Sequence, residues 1–98
     1  MRESKIEAYL VKRVKELGGE VRKVQWVGRR GAPDRVVMFP ATEQRFIGGM
    51  WGTTLWVELK ATGVKAEAYQ LREHARMLNM GQNVVVIDSL EGVDRLLS

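Results

Sequence analysis

In the stretch Leu55-Trp56-Val57-Glu58-Leu59-Lys60-Ala61, Leu55, Val57 and Leu59 fall on one face and Trp56, Glu58 and Lys60 on the other. That is the alternation of a half-buried β-strand. An acid in the middle of such a strand is a poor choice for burial unless it is paired or metal-bound. Lys60, two residues on, shares the face of Glu58.

Working toward the C-terminus, Lys65 to Met80 reads as a helix with Ala68, Leu71, Ala75 and Leu78 on its inner stripe, ended by Gly81. His74 falls outside that stripe, as a partly exposed surface histidine. Asn83 to Asp88 contains Val84-Val85-Val86-Ile87, the continuous apolar run of a strand covered on both faces. Asp88 or Ser89 can cap a last short helix that ends at Leu96-Leu97.

Toward the N-terminus, Ala41 to Thr54 reads as a hairpin with Gly48-Gly49 at its tip, or as a loop carrying Phe46, Ile47, Met50 and Trp51. Those side chains are costly to leave in water and are expected to cover the core first, or else to meet a second subunit or insert into a substrate. Asp34 to Phe39 is a strand closed by Pro40, and Gly28 to Pro33 is the loop before it. Val21 to Val27 is another strand. Ile6, Leu10, Val14 and Leu17 mark one face of a helix that Gly18-Gly19 would stop, with Ser4-x-x-Glu7 as a capping box at its start. The order α-β-β-β-α-β-α specifies an α/β fold, a mixed β-sheet flanked by helices.

The 98 residues are enough for a single domain, 1–98, with one core. The absence of cysteine excludes disulfide scaffolds, thiolate metal sites and cysteine nucleophiles. No apolar run reaches the ~20 residues of a membrane span, and the charged N-terminus carries no signal segment. The expected setting is therefore cytoplasmic, without a membrane partner. Residues 1–49 hold 11 Lys and Arg against 6 Asp and Glu, whereas residues 50–98 hold 5 against 6. A basic half suits a polyanion such as nucleic acid, although a solvated basic surface would look the same.

Asp34 opens its strand directly after Pro33. If that strand neighbours the one carrying Glu58, the two carboxylates can converge on one cation. With the Leu59 backbone carbonyl they make an all-oxygen site suited to Mg²⁺ or Mn²⁺ rather than zinc. Lys60 would stand beside a metal-bound water to orient it and to offset charge in a phosphoryl transition state. Read alone, Pro33-Asp34 is a common turn pair and Glu58-x-Lys60 a common solvated pair.

Gly31-x-Pro33-Asp34, then Glu58-x-Lys60, then Gln70 on the next helix, preceded by a helical Glu7, resembles the restriction-endonuclease-like PD-(D/E)xK core. It is most similar to the virus-type replication-repair nuclease (VRR-Nuc) family, over nearly the whole chain. The resemblance implies a metal-dependent endonuclease. Asp34 and Glu58 would be the metal-binding acids and Lys60 the catalytic lysine. Gln70 would steady the site or a substrate phosphate, and Glu7 would reach the metal, in part through water. Glu7 can equally serve the capping box, and Gln70 needs no explanation on a helix surface. Arg29 and Arg30, beside the Gly31 loop, would hold flanking phosphates, with Arg22, Lys23 and Arg35 extending that surface.

A stand-alone core resembles phage and bacterial members similar to Holliday-junction resolvases. This implies a homodimer acting on branched DNA inside a bacterial or phage-infected cell. A flap or splayed-duplex nuclease, a subunit that needs a replication or repair partner, and a non-catalytic DNA-binding module are the alternatives. The length of Ala41–Thr54 departs from the family pattern.

Overall fold

The computed structural model describes residues 1–47 and 50–98. Helix α1 (Glu3–Glu16) leads into strand β1 (Glu20–Lys23). Strand β2 (Arg35–Met38), the short strands β3 (Arg45–Ile47) and β4 (Met50–Gly52), and strand β5 (Thr54–Leu59) follow. Helix α2 (Ala68–Asn79), strand β6 (Val84–Ile87) and helix α3 (Leu90–Leu97) complete the chain. The main sheet has the order β1-β2-β5-β6, with the first two pairings antiparallel and β5–β6 parallel. It is the expected mixed sheet, extended by the separate β3–β4 ribbon.

The alternation of β5 divides the molecule. Leu55, Val57 and Leu59 are buried with Ile6, Leu10 and Val14 of α1 and Val93 and Leu97 of α3, so this face carries the apolar core. Glu58 projects to the opposite face, where α2 lies. Helix α1 stops as the glycine pair requires. Gly18 has φ +81°, its N–H donates to the Lys15 carbonyl, and the Gly19 N–H reaches the Val14 carbonyl. Together these form a Schellman closure.

Several expectations are corrected. The Ser4 capping box is absent: α1 starts at Glu3 with Arg2 at the cap and no side-chain bond, and the Glu7 carboxylate binds Arg35 instead. β1 ends at Lys23 rather than Val27. Trp26 has left the ladder to pack on Trp56, and Val27 is exposed. β-forming residues there serve a loop, so their propensity overstated the strand.

The largest difference is the rotation of α2 about its axis. Its buried residues are Glu73, His74 and Met77, whereas Leu71 and Leu78 face solvent. Polar groups can be buried when they find partners, and the face of the sheet beneath α2 provides them. The helix also starts at Ala68 rather than Lys65, closed by a capping box between Glu67 and Gln70. β6 is covered on both faces except at Val86, which is exposed at the sheet edge. Among the described residues of the β3–β4 ribbon, only Ile47 joins the core as expected; Phe46 and Trp51 pair across the strands with ring centroids 5.5 Å apart, and Trp51 is 70% exposed. Gly48 and Gly49, expected at the tip, and the side chain of Met50 lie outside the described residues. Among the described residues, no helix is long and apolar enough to cross a membrane.

Candidate active site

β2 and β5 pair with Arg35 opposite Val57 and Val36 opposite Trp56. Continuing this register by one residue sets Asp34 opposite Glu58. Residues opposed in this way have Cβ atoms about 4.5–5.5 Å apart. The structure thus brings together the two acids that are 24 positions apart in the chain. Lys60 lies just beyond, its backbone N–H continuing the ladder to the Ile87 carbonyl at 2.9 Å.

Glu58 is 8% exposed. Burial pushes its carboxyl up to about 7, and the charge of Asp34 adds to this, while Lys60 pulls the other way. Glu3 also acts on Glu58, raising it further. Two carboxylates forced close in a partly dry site, one of them held near half-protonation, are the environment a divalent cation relieves. Among the described residues no cluster of three or more His, Cys, Asp or Glu side chains forms a closed cage. Two carboxylates, with a backbone oxygen, water and phosphate filling the other positions, fit the hard and incompletely protein-bound coordination of Mg²⁺.

Asp34 is fixed from the α1 side. The buried Arg35 guanidinium has Nη1 2.9 Å from Asp34 Oδ1, and its Nε donates to the Glu7 carboxylate. Arg35 is therefore a buried positioning group. Its Nε and Nη1 are engaged by carboxylates, a pairing the sequence did not announce, while the residue also lines the cleft beside Asp34. Glu7 sits at the edge of the site but is neutralised by Arg35; Glu3, one turn earlier on the same helix face, is the α1 acid whose charge bears on Glu58. Only the spacing of four between Glu3 and Glu7 could have signalled this.

α2 holds the other side. His74 is 5% exposed and hydrogen-bonds the Gly31 backbone, and its Nε2 lies 3.6 Å from Glu58 Oε1 with no hydrogen-bond partner among the described residues. Burial pushes His74 below the usual histidine range, so it is neutral at neutral pH. Glu73, 3% exposed, receives Arg29 Nε at 3.0 Å and Arg76 Nε at 2.9 Å. Burial alone would push its carboxyl up, but the Arg76 and Arg29 hydrogen bonds outweigh it and hold it below the usual carboxylate range. Arg30 stacks over the Tyr69 ring at 3.9 Å. Arg29 and Arg30 thus clamp their loop to α2 while remaining exposed. The Gln70 side-chain oxygen accepts from the Glu67 N–H at 2.8 Å, closing the capping box at the start of α2. Gln70, Glu73, His74 and Met77 form a helical stripe of their own, which the more apolar Leu71–Leu78 stripe obscured in the sequence.

Gly31 is where this loop meets the helix. It has φ +90°, and a Cβ there would lie 2.9 Å from the Tyr69 carbonyl oxygen and 3.2 Å from Gln70 Cα. Gly31→Ala is expected to cost about 1–3 kcal/mol, from left-handed strain and the backbone clash together. Urea unfolding would show this loss; an unchanged midpoint would contradict the docking described.

No family model matches the chain. It is 44% identical over 89 residues to "Putative nuclease p44" of Acyrthosiphon pisum secondary endosymbiont phage 1, covering 91% of this chain and 85% of that protein. A solved structure of a VRR_NUC domain superimposes with a TM-score of 0.79 at 38% identity, covering 97% of this chain and 92% of the other.

Proposed function

The chain belongs to the VRR-Nuc family and is a nuclease, and from that premise we propose that it is a divalent-metal-dependent endonuclease cutting branched DNA as a homodimer. The observation that carries the chemistry is the cross-strand pair of Asp34 and buried Glu58 with Lys60 beside it. Asp34, Glu58 and the Leu59 carbonyl would hold Mg²⁺ or Mn²⁺, with Glu3 or Glu7 reaching it through water. Bound there, the cation supplies Lewis acidity toward a phosphate oxygen and acidifies a water.

The chain's own residues do the rest. Arg35 holds Asp34 in place through its 2.9 Å contact. Lys60 orients the attacking water and offsets the negative charge that grows on the phosphorus oxygens. Gln70 steadies a neighbouring phosphate through its amide. A cleft of about 410 Å³ beside Asp34, walled in part by Lys23, Gln25 and Arg35, gives the DNA backbone a partly basic approach to the acids. The phage source of the relative supports action inside a bacterial or phage-infected cell.

Exposed Leu71 and Leu78 on the outward face of α2, and Phe46 and Trp51 on the ribbon, support self-association. A two-fold dimer would present two centres to the two strands of a junction. Light scattering at micromolar concentration is expected to give twice the 11.1 kDa of one chain, and a single-chain mass would contradict the two-centre arrangement. Labelled four-way junction, flap and linear duplex DNA, incubated with Mg²⁺, Mn²⁺ or EDTA, test selectivity. The junction should be cut fastest and only with metal. Equal cutting of linear duplex would overturn the branched preference, and binding without cutting would overturn the catalytic reading.

A further inference from the structure

Next to the acids, on the α2 side of the sheet, lies a cavity of about 350 Å³ that the reaction above does not use. Trp26, Trp56, Arg29, Arg76, Met77 and Met80 wall it. The two indoles are 5.2 Å apart and tilted by 49°. Both are pinned by their N–H groups: Trp26 donates to the Pro33 carbonyl at 2.8 Å and Trp56 to Gln82 Oε1 at 3.0 Å. Their ring surfaces, rather than their polar edges, are what they can present to a ligand.

The rim is cationic. Arg29 and Arg76 converge on the single carboxylate of Glu73, leaving one positive charge in excess. Met80 at the mouth is 80% exposed. Trp56 shares its strand face with Glu58 and stands two residues before it, so the cavity begins about 7 Å from the metal-binding acids. Through Trp26 it is also tied to Pro33, the residue preceding Asp34.

We propose that this cavity receives an unpaired nucleobase of the DNA strand held for cleavage. Its size, at the lower end of the range of about 300–1,000 Å³ for small-ligand sites, suits one flat aromatic group. Fixed indole surface and methionine thioethers match the apolar face of a base, and the arginines match the phosphate attached to it. Stacking of this kind tolerates any sequence but requires a base already out of the helix. The cavity would therefore select junctions, flaps and single-stranded stretches over continuous duplex. This inference rests on the reading of the chain as a DNA nuclease.

The test uses the full chain in EDTA, where cleavage is stopped. Of the three tryptophans, Trp51 is removed by Trp51→Phe, so that emission reports Trp26 and Trp56 alone. An eight-residue oligodeoxythymidylate should quench this emission saturably, while anisotropy of a labelled copy reports binding. Trp56→Leu and Met80→Glu should each weaken oligodeoxythymidylate binding about tenfold and affect a blunt duplex far less. Met80 is exposed, so its variant keeps the test valid if Trp56→Leu folds poorly. Binding with unchanged emission, or full binding by a folded variant, would overturn the base site and leave the nuclease reading intact. Absence of binding to any DNA by the parent protein would overturn both.

Discussion

Lys60→Ala is expected to slow cleavage by about 10²–10³-fold, the range for loss of one group that stabilises transition-state charge. Lys60 lies at the end of β5 with only a half-buried side chain, so the fold should change by less than about 0.5 kcal/mol. Asp34→Ala should show the same separation. Its carboxylate is exposed and contributes to the fold mainly through Arg35, yet it supplies half of the acid pair. Initial rates at saturating DNA, together with a urea titration of each variant, check both statements. A folded variant of either kind that cuts at the parent rate would remove the site assignment.

Glu58→Gln is expected to trade activity for stability, with a sign set by pH. In the metal-free protein the Glu58 carboxyl is pushed up to about 7, from an ordinary 4.5, chiefly by burial. The folded state therefore holds its proton more tightly than the unfolded chain. The stability this confers is complete below pH 4.5 and is lost progressively as pH rises through 7. At 1.36 kcal/mol per unit, the loss above pH 7 is on the order of 3 kcal/mol. A neutral isostere has nothing to lose. In EDTA the Gln variant should match the parent near pH 4.5 and exceed it by about 3 kcal/mol at pH 8.5, while cleavage with metal is abolished. Urea midpoints at both pH values measure the difference, and parallel stability profiles would contradict the burial and repulsion assigned to Glu58.

Much of this architecture was legible from periodicity. The Leu55–Leu59 alternation, the Ile6–Leu10–Val14 stripe and the Gly18 stop each describe local geometry that tertiary contacts reinforce. The Asp34–Glu58–Lys60 grouping was legible chiefly through the family resemblance, since Pro33-Asp34 and Glu58-x-Lys60 each read alone as an ordinary turn pair and solvated pair. The face of α2 was not. Leu71 and Leu78 form the better apolar stripe, and only the partners supplied by Arg29, Arg76 and the Gly31 carbonyl make Glu73 and His74 the buried side. The Arg35–Glu7 pair was not legible either: a lone arginine in a strand carries no sign of the Glu7 carboxylate that packs over it from another helix. The aromatic cavity depends on Trp26 leaving the sheet, against its own β-propensity.

The most direct test of the active centre is cleavage of a labelled four-way junction by the parent protein and by Glu58→Gln, each with Mn²⁺ and with EDTA. Cutting confined to the parent with Mn²⁺ is the predicted result. Cutting by a folded Glu58→Gln variant, or by the parent in EDTA, would show that the Asp34–Glu58 pair is not where the reaction occurs.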